Sequence, residues 1–472
     1  MRSVPPLALL VSVALIAGGC ASNPSSRGSN EVNDLTRARG APAATWPSET
    51  NAKPSTGIAE PLTVGRAVEI AFVRSPAISE LYAELGISRA EVLDASRVPN
   101  PAFGYVGLSA GGSGPSQITR SISLGFTDLL MMPGRSRIAS ANFETTRQRV
   151  AGRLLDLQAK VESAWYEYVA ALQSAQMRAA AARAAYASAE YAQRLNAAGN
   201  IRPRALAIEL AASSEAQIAS ARARAGVARS RATFAGLVGL STRDDWQLVH
   251  GLPELPVSNA LPPDLADQAL STRLDVLAAR REVDTFESAL RLTRWWRWLG
   301  NFEVGYERES DTEGSRLRGP TFSLGIPLFN QNQSGVLRAQ AELERSRARL
   351  VELELGVRNE VALGLDRLAT TREVAESYRT ALVPQREAVT SRTLEEASFM
   401  LAGAFELLQA KREQFEAYQE YVDAVRDYWL ARVELRRAAG GKLADDDVAS
   451  TKLLELGVTA PSPMDEMQGE QK

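Results

Sequence analysis

Side chains that could carry metal, redox or nucleophilic chemistry are scarce in this 472-residue chain. It contains one cysteine, Cys20, and one histidine, His250. A single cysteine excludes an internal disulfide and a multi-cysteine metal cluster, and a single histidine excludes a two-histidine catalytic arrangement. The adjacent thioethers of Met131 and Met132 are more typical of packing than of a soft-metal site. Carboxylates are plentiful but have no flanking nucleophile, so the sequence predicts no enzyme activity, no metal and no cofactor.

The charge balance excludes another class of function. With 54 Lys and Arg against 56 Asp and Glu, the formal net charge is −2, which offers no basic field for DNA or RNA. We therefore expect no nucleic-acid partner. After the amino terminus, no stretch reaches the roughly 18 uninterrupted apolar residues of a membrane helix. If this chain crosses a bilayer, it must do so with strands.

The amino terminus has the layout of a secretory signal, with Arg2 before an apolar run, 4–17, that leads through two glycines into Cys20. Small residues directly before a cysteine resemble a bacterial lipoprotein signal, in which Cys20 would become the acylated first residue, with palmitate among its acyl chains. The signal departs from that pattern at Ala17, where leucine is usual, and the alternative is an ordinary signal peptide with an incidental cysteine. Ala21 is not the aspartate that favours inner-membrane retention, so the resemblance implies the outer membrane.

The chain contains the same pattern twice. Strand-like stretches around Gly125 and Gly325 are 200 residues apart, and each precedes a long helical pattern. A repeat of this length indicates a duplicated domain rather than a solenoid. A segment rich in Ser, Pro, Asn, Ala and Gly precedes both copies and has few large apolar residues to bury. We therefore divide the chain into a signal peptide at 1–19, a lipidated flexible tether at 20–60, repeat 1 at 61–240, a linker at 241–263, repeat 2 at 264–440 and a polar tail at 441–472.

Four stretches have the amphipathic pattern of very long helices, at about 135–196, 203–238, 335–400 and 404–438. Sixty helical residues extend about 90 Å at 1.5 Å each, far beyond an ordinary globular helix. Pro384 is expected to bend or interrupt the third stretch, because it removes a backbone donor and clashes with the preceding turn. Short breaks that contain Gly199 and Gly403 predict two tight helix-to-helix turns, whose tips face the same end of the protein.

Two β-hairpins are predicted at the other end, with strands at 102–109 and 118–126 in repeat 1 and at about 302–309 and 318–326 in repeat 2. Apolar and polar residues alternate along them, as they do in outer-membrane barrels and also in soluble sheets, so both interpretations stay open here. Three tryptophans before the third strand fit either an interfacial aromatic belt or a buried aromatic cluster, and these are Trp295, Trp296 and Trp298. Four strands cannot close a barrel, for which eight is the usual minimum, so several chains would have to contribute.

Several short motifs, in this order and spacing, resemble the TolC-like outer-membrane efflux proteins. They are 62–68 leading to Ser75-Pro76, 273–276, Leu195-x-x-x-Gly199-Asn200 and Phe399-x-x-x-Gly403, and the likeness covers nearly all of 61–440. The sequence departs at Leu274, where that family usually has proline. The resemblance implies a mainly α fold with a membrane β-barrel portion. Each chain would contain a duplicated unit of long α-helical hairpins plus two β-hairpins, and a homotrimer would form one twelve-stranded barrel and a helical tunnel.

The resemblance also implies a passive channel of a tripartite efflux pump, lipid-anchored in the bacterial outer membrane with a periplasmic helical extension. Its partners would be a periplasmic adaptor protein, an inner-membrane efflux transporter and outer-membrane lipid. In that family the tips dock the adaptor, which assigns this role to Leu195, Gly199, Phe399 and Gly403, with glycine allowing close backbone approach. The alternative is that these residues only cap helices.

Five charged residues near the tips suggest a gate, and they are Arg202, Arg204, Glu395, Glu396 and Glu406. Channels of that family are often closed at the tips by charged groups, so we hypothesise that opposite charges link neighbouring hairpins in the shut state. The alternative is ordinary solvated surface charge. Two other classes of protein compete with the channel. A periplasmic adaptor lipoprotein would have one helical hairpin and many soluble strands, and a structural coiled-coil lipoprotein would not need the alternating strands.

Overall fold

The computed structural model describes residues 27–47, 60–109, 116–257, 261–298, 300–443 and 452–454. Cys20 and most of the polar tail lie outside these residues, so the lipidation site stays a prediction. Within the described chain, both repeats have the same order of elements: two shorter helices, a β-hairpin and a long helical hairpin. Among the described helices, none combines the length with the apolar composition that a membrane crossing requires.

A short helix, α1 (Ser29–Arg37), precedes both repeats. Repeat 1 consists of α2 (Val64–Arg74), α3 (Pro76–Ala95), β1 (Ala102–Ser109), β2 (Ser116–Gly125), α4 (Phe126–Ala197) and α5 (Pro203–Val238). Repeat 2 consists of α6 (Leu265–Thr272), α7 (Leu274–Trp296), β3 (Phe302–Ser310), β4 (Arg316–Leu324), α8 (Gln333–Ser377), α9 (Val383–Ser398) and α10 (Ala404–Ala439). The predicted strands and three of the four predicted long helices agree with these bounds to within two residues.

Prolines lie at two irregular points of the long helices, one in each repeat. α4 begins at Phe126, nine residues before the predicted start, and carries Pro133 in its interior. Pro133 removes one backbone donor, and the Arg135 side chain donates across the same turn to the carbonyl oxygen of Asp128 at 2.9 Å. In repeat 2, the predicted interruption at Pro384 is confirmed as a π-helical turn, Tyr378–Leu382, between α8 and α9.

The long helices pack side by side in one layer, in the order α5, α4, α10 and α8. At its centre the rings of Tyr166 and Trp429 stack with centroids 5.4 Å apart, and Trp165 packs edge-on against Tyr166. The indole N–H groups of Trp165 and Trp429 donate to the carbonyl oxygens of Leu62 and Pro253 at 3.0 and 2.9 Å. Trp165 and Tyr166 belong to α4 and Trp429 belongs to α10, so this aromatic centre joins the two repeats. Burial of large aromatic side chains contributes strongly to the stability of a core. The aromatic centre leaves α5 and α8 at the two ends of the layer.

Residues 27–47 of the predicted flexible tether, 20–60, are instead packed against the helices. Here α1 packs on α4, and Trp46 is fully buried. The Asn33 side chain donates to the carbonyl oxygen of Ala44 at 3.1 Å and accepts from the N–H of Ala44 at 3.0 Å. One buried tryptophan and a satisfied buried amide hold residues 27–47 against the helices, although their composition has no long apolar run.

The predicted linker, 241–263, also packs against the helices. Trp246 and Leu252 are buried, and Leu248 pairs in parallel with Leu62. Pro253 forms an antiparallel bridge to Leu453 in the tail. The linker and the described part of the tail therefore cover the aromatic centre.

Each helical hairpin ends on a crowded left-handed glycine. Gly239 after α5 and Gly440 after α10 have φ of +77° and +83°. A Cβ on Gly239 would lie 2.4 Å from the carbonyl oxygen of Arg74, and a Cβ on Gly440 would lie 2.7 Å from Cγ of Arg273. In both repeats, this contact places the end of the hairpin against the break between the two shorter helices of the same repeat.

Arg273 links three helices at the second of these joints. Its nearly buried guanidinium donates to Asp275 and Glu360 at 2.7 Å each and to the carbonyl oxygen of Ala438 at 3.2 Å. Burial alone would lower the pKa of Arg273, but the hydrogen bonds and charges of the two carboxylates outweigh it, so the pKa is raised. The permanent charge therefore fixes α7, α8 and the end of α10 relative to one another.

Gly239 and Gly199 form a matched pair for a test, because both have φ of +77° but only Gly239 is crowded. Gly199→Ala meets no atom within 4 Å and should cost only the left-handed backbone strain, about 1–2 kcal/mol. Gly239→Ala adds an overlap with backbone atoms that cannot move aside, so we expect a clearly larger loss of apparent Tm. Circular dichroism melts of both variants in one detergent measure the difference. Equal losses would contradict the crowded joint.

Candidate functional site

The sheet at the end of the helices is the first part of the candidate site. Its four antiparallel strands have the order β1–β2–β3–β4, and Tyr306 pairs with Ile122 on one side and Pro320 on the other. Because side chains alternate between faces, this register assigns every strand residue to a face. The apolar face carries Phe103, Ile122, Leu124, Val304, Tyr306, Phe322 and Leu324. The opposite face, here called the polar face, carries Thr119, Ser121, Ser123, Glu303, Glu307, Glu309, Thr321 and Ser323, with the apolar Val106, Leu108 and Leu317 toward the end away from the helices.

The apolar face is exposed in the single chain. Phe103 and Phe322 are 72% and 68% exposed. Contiguous exposed apolar surface marks a contact with membrane or with another protein. Toward the helices, Trp295 and Trp298 are 82% and 57% exposed, so the predicted tryptophans do not form a buried cluster within the single chain. These two rings lie where an interfacial aromatic belt would be expected.

The sheet is open at both edges. Within the described chain, β1 pairs only with β2 and β4 pairs only with β3, so each edge presents unpaired backbone N–H and C=O groups. Soluble proteins usually protect such edges with charges, but β1 (AFGYVGLS) contains no charged residue. An edge of this kind is suited to pairing with a strand of another chain.

The first helical tip joins α4 to α5 through residues 198–202. Gly199 has φ of +77°, and the N–H of Asn200 donates to the carbonyl oxygen of Leu195 at 2.8 Å, so α4 ends in a Schellman turn. Leu195 is half-buried, whereas Gly199 is exposed and nothing lies within 4 Å of where a Cβ would be. Gly199 therefore leaves room for close approach by another backbone.

The second tip joins α9 to α10 through residues 399–403 and has a different geometry. Its left-handed residue is Met400, with φ of +58°, and the N–H of Leu401 donates to the carbonyl oxygen five residues earlier at 2.9 Å. Gly403 is instead the N-cap of α10, and its N–H donates to Oε2 of Glu406 at 3.2 Å. The two tip motifs thus correspond in sequence but not in geometry, because Gly199 ends a helix and Gly403 begins one.

Sequence reasoning named Phe399 at the second tip but missed the two exposed apolar residues that follow it, Met400 and Leu401. Phe399, Met400 and Leu401 are 76%, 94% and 79% exposed, and we call these three residues the apolar cap. The only sequence signal was an apolar triplet between a polar helix end and Gly403. The rings of Tyr191 and Phe405 lie 5.9 Å apart, so the two hairpins contact each other just behind their turns.

The five predicted gate residues are all exposed at this end of the molecule. Arg202 and Arg204 lie at the start of α5, and Glu395 and Glu396 lie at the end of α9. Among the described residues no ion pair joins these charges, and Glu406 instead accepts the N-cap hydrogen bond described above. A pairing of opposite charges here therefore requires a neighbouring copy.

Comparison of the sequence with family models and with curated proteins finds no match. Solved structures do match. The CmeC outer membrane channel of Campylobacter jejuni has a TM-score of 0.69 at 12% identity, over 87% of this chain and 91% of that one. The open state of the MtrE outer membrane channel of Neisseria gonorrhoeae has a TM-score of 0.66 at 17% identity, over 80% and 89%. A membrane protein of Pseudomonas aeruginosa has a TM-score of 0.68 at 16% identity, over 84% and 100%.

The chain has the fold of the TolC-like outer-membrane channels. The expected mainly helical architecture with a small antiparallel sheet is confirmed. At these identities the similarity establishes the TolC-like fold, and the function has to be argued from the sheet and the tips.

Tyr418 gives the second hairpin a pH-dependent contact between α9 and α10. Its hydroxyl donates to Glu387 and accepts from the Gln414 side chain, and burial together with the Glu387 carboxylate raises the pKa of Tyr418 to about 12. The folded pKa exceeds the unfolded value of about 10, so the folded state holds this proton more tightly. The contact therefore contributes stability below pH 10, and this stability is lost as the pH rises toward 12.

We expect Tyr418→Phe to lower the apparent Tm at pH 8, and the gap from wild type to shrink between pH 10 and pH 12. Thermal melts across this range measure the gap. Tyr186→Phe is the control, because Tyr186 is an exposed residue of the first hairpin, and it should match wild type at every pH. A gap for Tyr418→Phe that stays constant with pH would contradict the assigned hydrogen bond.

Proposed function

We propose that this protein is an outer-membrane channel that works as a homotrimer in a tripartite efflux pump. The observation that carries the proposal is the open four-stranded sheet, with its exposed apolar face, its polar face and its two unpaired edges. In hydrocarbon every backbone polar group needs an internal partner. Such a sheet is therefore stable in a bilayer only when its edges are closed.

Copies of the same chain provide the closure. Four strands lie below the usual minimum of about eight, whereas three copies supply about twelve, enough for a barrel with a water-filled interior. In that barrel the apolar face contacts lipid, and the polar face with its three glutamates lines the water. Similarity to outer membrane channels over at least 80% of this chain supports the arrangement.

The helical layer is open in the same way as the sheet. Its end helices carry exposed apolar side chains, with Ile208 and Ile218 on α5 and Leu355 and Leu363 on α8 at least 52% exposed. A helix normally buries such residues against a neighbour. The copies that close the sheet can also cover α5 and α8, so the layers of three chains would form a tunnel continuous with the barrel.

The tips supply the connection to the rest of the pump. We assign adaptor docking to Leu195, Gly199, Phe399 and Gly403, and the exposure of the apolar cap adds Met400 and Leu401 to this surface. Conduction would be passive, with energy supplied by an inner-membrane efflux transporter joined through the periplasmic adaptor protein. Acylation of Cys20 would anchor the amino terminus in the outer membrane, with the helices extending into the periplasm.

The two competing classes fit the described chain less well. An adaptor lipoprotein was expected to have one helical hairpin among many soluble strands, whereas the described residues form two such hairpins and one small sheet. A structural coiled-coil lipoprotein has no use for a sheet with an exposed apolar face.

Ion conductance tests the channel and its assigned faces. We expect single-channel steps with cation selectivity from the protein in planar bilayers, because Glu303, Glu307 and Glu309 of each copy would line the lumen. Changing all three to Gln should move the reversal potential toward zero. Glu91→Gln is the control, since this exposed carboxylate of α3 lies outside the strands. Absence of channel steps would reject the channel, and unchanged selectivity in the triple variant would reject the assignment of the polar face to the lumen.

Site-specific photo-crosslinking in cells tests the tips. A photoreactive residue at Met400 should capture a periplasmic adaptor, because the apolar cap is exposed and has no partner among the described residues. The same residue at Tyr186, which is exposed on α4 behind the tip, should not capture the adaptor. Equal capture at both positions, or capture of the adaptor at neither, would reject docking at the cap.

Neutralising the five gate residues tests the gate. Gln at Arg202, Arg204, Glu395, Glu396 and Glu406 should raise the open probability, because links between opposite charges of neighbouring copies are removed while the amide at 406 keeps an acceptor for the N-cap. Arg349→Gln with Glu352→Gln, on the exposed side of α8, is the control. An open probability equal to wild type would reject the gate.

A further inference from the structure

The apolar face carries a row of arginines. Arg120 on β2 pairs directly with Arg308 on β3, and Arg308 pairs directly with Arg318 on β4. Tyr105 on β1 completes the row opposite Arg120. All three guanidinium-bearing residues are exposed, and we call them the arginine row. Arg316 lies on the same face one step further from the helices.

Such a row is unfavourable unless an anion lies against it. Like charges directly opposite one another on neighbouring strands repel. Among the described residues no carboxylate lies within ion-pair distance of the arginine row, including Asp311 and Glu313 in the adjoining turn. The acids that flank Arg308 in β3, Glu307 and Glu309, belong to the polar face because successive side chains alternate.

A neighbouring copy cannot supply the missing negative charge through the strand that would pair with β4. The strand that would close against β4 is β1 of the next copy, and β1 is AFGYVGLS, without any acidic residue. The residues before and after it, 98–101 and 110–115, also contain no Asp or Glu. The counter-charge must therefore come from outside the protein.

The position of the arginine row on the apolar face indicates which anions could lie against it. Leu324 and Arg318 are six residues apart on β4, so the row lies about 20 Å from the helix-proximal end of the apolar face along the strand. The apolar band of a membrane barrel is about 25 Å tall, with aromatic residues at its borders. Trp295 and Trp298 mark the helix-proximal border here, so the arginine row falls at the opposite border, where lipid headgroups lie.

We propose that the arginine row binds the phosphate groups of lipids in the leaflet that faces away from the helices. Guanidinium groups bind phosphate through paired, charge-assisted hydrogen bonds, and the adjacent apolar residues would contact the acyl chains of the same lipid. Neighbouring strands are about 4.8 Å apart, so the three guanidinium groups can surround one phosphomonoester. The proposal rests on the proposed function, because it needs the apolar face to be in a bilayer.

Lipid retention tests the proposal. The full-length protein is reconstituted in phosphatidylcholine vesicles containing phosphatidic acid, extracted, repurified, and its bound lipid quantified by mass spectrometry. We expect at least about tenfold enrichment of phosphatidic acid by wild type. The triple variant R120Q/R308Q/R318Q should lose this enrichment, and R345Q/R349Q/R392Q, which removes three exposed arginines of α8 and α9 outside the sheet, should keep it. Equal enrichment by wild type and the arginine variant overturns the proposal.

Two further measurements separate the possible explanations. Inorganic phosphate is added to the protein in detergent, and a thermal shift as large as that produced by phosphatidic acid would show a free-anion site and overturn the lipid assignment. Conductance of wild type in phosphatidylcholine alone distinguishes this proposal from the channel. If the protein enriches phosphatidic acid but does not conduct ions, lipid binding by the arginine row is supported and the channel is contradicted. If the protein conducts ions but does not enrich phosphatidic acid, the channel is supported and lipid binding by the arginine row is contradicted.

Discussion

The backbone groups along the outer edges of β1 and β4 need partners, and the described chain supplies none. In water, solvent could satisfy them, but the adjoining apolar face, with Phe103 and Phe322 exposed, is suited to lipid. One copy alone cannot both provide partners for these edges and place its apolar face in lipid. In the proposed trimer, closure by further copies would meet both demands, and it would also determine which face of the sheet contacts water.

Because of the duplication, each chain has one continuous four-stranded sheet and one continuous layer of long helices. The β2–β3 pair joins the two repeats within one chain, as the contact of α4 with α10 does among the helices. The aromatic centre around Trp165 and Trp429 fixes this layer internally, and the crowded glycines Gly239 and Gly440 fix the ends of its hairpins. The surfaces left without partners are therefore the two edges, the apolar face and the tips, which are the surfaces that subunits, lipid and an adaptor would cover.

Most of the fold was predictable, because strand and helix bounds follow from local periods of two and about 3.6 residues. Features that depend on tertiary structure were not. The burial of Trp46 orders a segment that composition assigned to a flexible tether, and the left-handed residue of the second tip is Met400 rather than the glycine of the motif. The arginine row was hidden for a related reason, since Arg120 and Arg308 belong to different repeats and become neighbours only through the register of β2 with β3.

Amide hydrogen exchange of the protein in lipid vesicles tests closure of the sheet most directly. The account predicts that amides of β1 and β4 exchange as slowly as those of β2 and β3, because every strand then has a partner on both sides. Fast exchange confined to the outward amides of β1 and β4, with β2 and β3 protected, would show that the edges stay free and would contradict a barrel shared between copies.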